Sequence, residues 1–237
     1  MEKCIVPISG GLDSTTILYM AKARNMQIHA VSFNYGQRHM DSELACAQHH
    51  VNKVGVESWK VLDITFFKEI ANTSSLTNSD IDVADARDVV GDPQTVNYVP
   101  NRNMMMLSIC AAYAESLQAE TVFHGAALVD SQAGFWDGSV EFLEYINNLL
   151  SLNRRDRVKV ECPLIELSKE QIIHKAVSLG VDVSKTWTCY RGGERPCGYC
   201  TACSSRIAGF MSAGYIDPLD YQRTDIPWSG QQPISAL

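Results

Sequence analysis

The sequence predicts an α/β fold, a doubly wound parallel sheet, followed by a small zinc-stapled C-terminal region. Three observations carry that prediction. Short apolar runs alternate with segments of helical periodicity through most of the chain. A glycine-rich turn joins the first such run to the first helix, and four of the eight cysteines fall within fifteen positions near the end.

Taken in order, Lys3 to Ile8 reads as a buried strand, Ser9 to Asp13 as a turn, and Ser14 to Arg24 as a helix stopped by Asn25. Gln27 to Phe33 follows as a second strand, Asp41 to Val54 as a helix closed by Gly55, and Ser58 to Leu62 as a third strand. Asp63 to Asn101 is polar and too long for an idle loop, so it is expected to cover a site. Asn103 to Leu117 is the next helix, with Asn103 as its N-cap because Pro100 and Arg102 disfavour an earlier start. Thr121 to Ala126 is a strand, Ser139 to Leu152 a helix, and Val158 to Cys162 an extended piece ending at Pro163. Ser168-Lys169-Glu170-Gln171 is a capping box opening a helix that Gly180 ends. After Val183 periodicity disappears, which divides the chain into an α/β body, 1–183, and a cysteine-bearing region, 184–237.

Of the 237 residues, 46% are hydrophobic and 20% charged, enough to bury a full-sized core. Twenty Lys and Arg against twenty-seven Asp and Glu leave a net charge of −7. A polynucleotide or anionic-membrane binder needs clustered basic residues, so no nucleic-acid partner is expected. No apolar run approaches the ~20 residues of a membrane span, and the N-terminus reaches its turn too soon for a signal peptide. A cytoplasmic, reducing setting follows, in which clustered cysteines are ligands more often than disulfides.

Ser9-Gly10-Gly11-Leu12-Asp13-Ser14-Thr15 has the context of an anion site. Glycines let the backbone approach a phosphate, and the helix N-terminus supplies free N–H groups. Asp13 would repel a phosphate unless a cation lay between them, which suggests Mg²⁺. The turn lacks the lysine of the Walker loop and the spacing of the dinucleotide fingerprint; without a ligand it would be a tight strand-to-helix connection only. At the other end, Cys189, Cys197, Cys200 and Cys203 supply the four thiolates of a closed structural zinc site. An iron–sulfur cluster and a redox Cys-x-x-Cys pair compete with that reading. The zinc site is expected to staple a helix-poor terminus.

The Ser-Gly-Gly-x-Asp-Ser turn resembles the signature of the pyrophosphatase-loop ATPases. Together with the Cys-x7-Cys-x2-Cys-x2-Cys cluster, it makes the chain similar to the 7-cyano-7-deazaguanine synthase family. Phe33-Asn34-Tyr35-Gly36-Gln37-Arg38-His39, Val99-Pro100-Asn101-Arg102-Asn103 and Thr188-Cys189-Tyr190 match as well, so the resemblance spans about residues 3 to 220. It implies an adenine nucleotide alpha hydrolase-like fold that binds ATP along Ile8, Ser9, Gly10, Gly11, Leu12, Asp13, Ser14, Thr15, Thr16, Ile17 and Leu18. The implied reaction activates 7-carboxy-7-deazaguanine as an acyl adenylate. Ammonia displaces AMP to give the amide, and a second activation dehydrates that to the nitrile. Asp13, Ser14 and Arg102 are the implied catalytic residues, Mg²⁺ and Zn²⁺ the implied metals, and a homodimer the implied assembly.

A deazaguanine ring presents adjacent N–H donors that one carboxylate can accept. Asp130 and Asp137, after the 121–126 strand, are the candidates, unless they are solvated loop acids. Phe135 or Trp136 is expected either to stack on the base or to pack in the core, and Arg38 either to hold substrate or to stay structural. Arg191 and Arg195, tied down by the cysteine cluster, are expected either to lean into the same site or to stay structural. One segment departs from the family: where its members have Gly-Tyr-Pro-Asp-Cys-Arg, this chain has Gly134-Phe135-Trp136-Asp137-Gly138-Ser139. That departure keeps open a relative that stops at an amide with another amine, including one on a protein. A tRNA-modifying pyrophosphatase-loop enzyme and a nucleic-acid zinc finger are disfavoured by the charge.

Overall fold

The computed structural model describes residues 1–88, 92, 95–155 and 157–234. Five parallel strands form its sheet: β1 (Lys3–Pro7), β2 (Gln27–Asn34), β3 (Ser58–Asp63), β4 (Thr121–Phe123) and β5 (Lys159–Glu161), in the order β3-β2-β1-β4-β5. Successive strands run outward from β1 to β3 on one side and then from β4 to β5 on the other. The order therefore reverses between β1 and β4, where an open sheet leaves a crevice at its carboxyl edge. β1 sets the register, Lys3 opposite Gln27 and Cys4 opposite Thr121.

Because side chains alternate along a strand, each central strand feeds two cores. Cys4, Val6, Ile28 and Ala30 face α1 (Leu12–Ala23), α2 (Met40–Val54) and α7 (Lys169–Ser178) through Ile17, Leu18, Val51, Ile172 and Ile173. Ile5, Val31 and Phe33 face α4 (Arg102–Leu117) and α6 (Val140–Leu150) through Leu107, Cys110, Ala114, Phe142 and Ile146. Two short helices, α3 (Phe67–Ile70) and α5 (Leu128–Gln132), lie in the connections. The capping box at Ser168 forms as read: its Oγ accepts from Gln171 N, and Gln171 Oε1 accepts from Ser168 N.

Two sequence expectations need correction. The helix after the polar stretch is capped by Asn101, in the left-handed region at φ 53°, not by Asn103. Asparagine tolerates that conformation, so the turn is made one residue after Pro100 and Arg102 becomes the first helical residue. The terminus is not helix-poor either, because α8 (Thr201–Ser212) starts at the last cysteines and buries Phe210 in the same core as α1 and α7. Two short strands, β6 (Tyr215–Ile216) and β7 (Gln232–Pro233), close this end.

The polar stretch does lie over the crevice. Leu76, Thr95, Asn97, Tyr98 and Val99 line the cavity described below, and Val83 packs among the cysteines. Residues 89–91, 93 and 94 of that stretch, and 235–237 of the cysteine-bearing region, lie outside the described residues.

Candidate active site

A cavity of about 740 Å³ opens at the carboxyl edge of the sheet. Ile8 and Ser9 after β1, Val31 to Phe33 at the end of β2, and Gly125 and Ala126 after β4 form its floor. Its position follows from the strand order, since three chain segments leave the sheet there in diverging directions.

Ser9, Gly11, Leu12, Asp13 and Ser14 line one end. Gly10 lies behind them with φ 80°, and a Cβ there would collide with the Glu43 carbonyl and come within 2.7 Å of Ala47 N, so this turn can press on α2 only as glycine. On the other side Trp187 N donates to Gly10 O at 2.9 Å, and Gly11 bridges to Trp187. The loop is thus clamped between α2 and the strand-like segment that leads into the cysteines. Ser9 and Ser14 face each other at 3.1 Å between their hydroxyls, with Ser9 N donating to Ser14 Oγ at 3.2 Å. Thr15, Thr16, Ile17 and Leu18 point away from the cavity into the core and are fully or almost fully buried.

Lys169 is the residue that the sequence reading missed. Its Nζ donates to Asp13 Oδ1 at 2.8 Å and to Oδ2 at 2.7 Å, and it lines the cavity. A cation does lie beside Asp13, as charge balance requires, and it is supplied by the chain. The signal was present: a lysine in the first turn of a helix opposes the macrodipole, and such a local misfit often marks a function. Gly209 on α8 makes room for it, since a Cβ at 209 would overlap Lys169 Cγ.

Arg102, Asp137, Asp130 and Phe135 line the other end. Arg102 donates to Tyr35 Oη at 3.2 Å and to Asn103 Oδ1 at 3.3 Å, and no carboxylate lies within ion-pair distance of it among the described residues. Burial alone would lower its pKa, yet the surrounding phenols of Tyr35 and Tyr190 and the Asp137 carboxylate hold it above its usual value. It is therefore a half-buried guanidinium ready for an anion. Asp137 is 5% exposed, and its carbonyl accepts from His124 Nε2 at 3.0 Å. Asp130 Oδ2 accepts from Ala127 N at 2.8 Å, and desolvation, helped by Asp13, pushes its pKa up. Phe135 stacks on Tyr98 with centroids 6.2 Å apart, and Trp136 donates its indole N–H to Tyr98 Oη.

Arg38 does not join this group. Its guanidinium donates to the carbonyls of Ser75, Asn78 and Ile81 at 2.7, 2.6 and 2.5 Å, so it fastens the covering segment. Arg191 bonds Val83 O and Asp85, and Arg195 bonds Asp220 and Tyr221 O, so both act outside the cavity.

The departing segment has a local explanation. Ser139 caps α6, its Oγ accepting from Phe142 N at 3.0 Å. A Cβ on Gly138 would stand 2.6 Å from Asp130 Cβ, so the absence of a side chain at 138 lets Asp130 approach.

The sulfurs of Cys189, Cys197, Cys200 and Cys203 all lie within 4.8 Å of one another, and all four residues are buried. Backbone N–H groups of Tyr199 and Cys200 point at Cys197 Sγ, at 3.4 and 3.3 Å, and that of Cys197 at Cys189 Sγ, at 3.3 Å. Four convergent, N–H-supported sulfurs fit a tetrahedral thiolate site that could hold a metal ion.

The family described as "Queuosine biosynthesis protein QueC" matches residues 3–214. The chain belongs to the QueC family. It is 40% identical to a 7-cyano-7-deazaguanine synthase of Caldicellulosiruptor bescii, over 95% of this chain and 100% of that one. A 7-cyano-7-deazaguanine synthase of Marinobacter nauticus is 39% identical, over 94% and 98%. A solved NMN synthetase from Francisella tularensis is similar over 83% of this chain and 66% of its own, with 15% identity and a TM-score of 0.49. As a QueC member the protein is an ATP-dependent enzyme forming a C–N bond, and no helix among its described residues is long and apolar enough to cross a membrane.

Proposed function

We propose that this enzyme converts 7-carboxy-7-deazaguanine and ammonia to 7-cyano-7-deazaguanine, activating the acid, and then the amide, with ATP. The observation that carries the reading is one cavity joining the clamped glycine-rich loop and Lys169 to a pocket holding Arg102, Asp130, Asp137 and Phe135. Residues 1–183 supply the nucleotide-binding body and 184–237 its stapled flank. In this reading ammonia, not a protein amine, is the acceptor.

Adenylation turns an oxygen that leaves poorly into AMP, so the protein must hold phosphates, place the acid and exclude water. Ser9, Gly10, Gly11 and Ser14, with the free N–H groups at the start of α1, would cradle the pyrophosphate, while Lys169, steered by Asp13, offsets its charge. Arg102 would hold the carboxylate or the oxygen on which charge develops. Asp137 or Asp130 would accept the paired N–H donors of the base, with Phe135 against its ring. Each Asp13 oxygen keeps a lone pair beside its bond to Lys169, so Asp13 is the carboxylate that would hold Mg²⁺, which would screen the phosphates. The four cysteines would hold Zn²⁺, a structural ion on this geometry. A homodimer in the cytoplasm completes the reading, supported by the exposed Val140, Tyr145, Leu149 and Leu152 around α6.

The test is to incubate the enzyme with the acid, ATP and ammonium and to weigh the products. Appearance of the nitrile is expected; an amide that never loses water, or no acid-dependent use of ATP, would overturn it.

A further inference from the structure

Glu43, in the first turn of α2, lines the cavity and is not among the residues assigned above to adenylation. Its carboxylate is held in place: Oε2 accepts from Gln37 Nε2 at 3.0 Å, and the Gln37 amide is fixed in turn by Phe33 O and Tyr35 N, both at 3.0 Å. No Lys or Arg lies within ion-pair distance of Glu43 among the described residues; the nearest basic group is the imidazole of His39, whose Nε2 is 3.6 Å from Oε1.

His39 is 3% exposed and also lines the cavity. Nε2 is too far from Glu43 for a hydrogen bond, and Nδ1, near the Tyr190 backbone, has no partner of good geometry. Burial lowers its pKa, which leaves a neutral imidazole with a lone pair to offer.

A fixed carboxylate in the wall of a cavity that takes ATP and an organic acid repels both unless a cation shares the space. Under the function proposed above, on which this inference rests, ammonium is the one small cationic reactant. We propose that Glu43 and His39 form the subsite that takes up ammonium and accepts its protons. One proton passes from ammonium to His39 Nε2, leaving ammonia. The ammonia lone pair forms the C–N bond as the bond from the acyl carbon to the AMP oxygen breaks, and AMP leaves with the bonding pair. The proton shed by the new C–N group goes to Glu43, and both protons then pass to water.

Three measurements on the full chain test it: acid-dependent ATP–pyrophosphate exchange, which needs no amine; turnover with ammonium; and trapping by hydroxylamine, an amine uncharged at neutral pH. Glu43→Gln should raise the KM for ammonium about tenfold or more while exchange persists. His39→Gln should lower kcat with ammonium about tenfold or more while hydroxamate still forms at the wild-type rate. An unchanged KM in the first variant, equal loss with both amines in the second, or loss of exchange in either folded variant overturns the proposal. Should the variants not fold, the wild type decides: K⁺ and Rb⁺, close to ammonium in size, should compete with ammonium and not with ATP, and no competition overturns the subsite. Absence of exchange in the wild type would instead refute the adenylation reading itself.

Discussion

Lys169 and Asp13 are 156 residues apart in the chain, yet the ammonium of one grips both carboxylate oxygens of the other, at 2.8 and 2.7 Å. The pair joins the first turn of α7 to that of α1 across the mouth of the crevice. A carboxylate that would push phosphate away thereby becomes the holder of the cation that attracts it.

Lys169→Met should reduce acid-dependent ATP–pyrophosphate exchange about a hundredfold or more, as for loss of a charge aimed at a transition-state anion. The melting temperature should move by only a few degrees, since the pair is only partly buried, at 15% and 27% exposure, and still reached by solvent. Gly209→Ala should give a milder version of the same defect, because its methyl displaces the Lys169 stem. Calorimetry and exchange on the same samples check both. A large loss of stability with normal exchange would contradict the assignment.

Removal of the metal should loosen more than its own loop. Asp85 bridges to Cys200, and Ala86 N donates to Tyr199 O at 3.1 Å, so the covering segment is tied to the knuckle. The purified protein is expected to contain about one zinc per chain, and Cys200→Ser to lower the melting temperature by several degrees or more. Metal analysis, with hydrogen exchange across residues 75–88, reads this out; iron with sulfide would refute the zinc assignment.

Asp137→Asn exchanges an acceptor oxygen for a donor in a site that is 5% exposed. A donor-donor mismatch there should cost about 1 to 3 kcal/mol, about tenfold or more in the KM for the acid, with the KM for ATP unmoved. Asp130→Asn is the comparison, because one of the two acids suffices to read the base. If neither substitution changes the acid's KM, the ring has no anchor here and another carboxylic acid becomes the better substrate.

His50 makes the fold sensitive to mild acid. It is fully buried, 3.2 Å from Tyr19 Oη, and burial, with His49 adding, pushes its pKa down from 6.5 to about 4. The unfolded chain therefore takes the proton first. The stability from this neutral imidazole is complete above about pH 6.5 and is lost as the pH falls toward 4, a change of about 3 kcal/mol at most. Urea unfolding at pH 7 and pH 4.5 should show the fall, and His50→Gln should flatten it.

The body of the fold was legible because its local and long-range signals agree. Ile5 and Val31 lie on one face of the sheet, Val6 and Ala30 on the other, and the capping box at Ser168 begins its helix on cue. Helix α8 was hidden because Cys203, Ile207 and Phe210 carry its spacing among serines and glycine of low helix propensity, and because the cysteines suggested a knuckle. The glycine-rich loop and the four cysteines were readable as local motifs. Lys169, Glu43 and the anchoring role of Arg38 were not, because their chemistry comes from partners that only the folded chain brings near.

The bond from Trp187 N to Gly10 O has a bearing on biogenesis. A ribosome releases the glycine-rich loop first, and the segment that steadies it emerges 187 − 10 = 177 residues later. Nucleotide competence should thus arrive late in translation, well after β1 to β3 are able to pair. Until then the nascent chain carries an unfinished phosphate loop, unable to spend ATP before the rest of the enzyme exists.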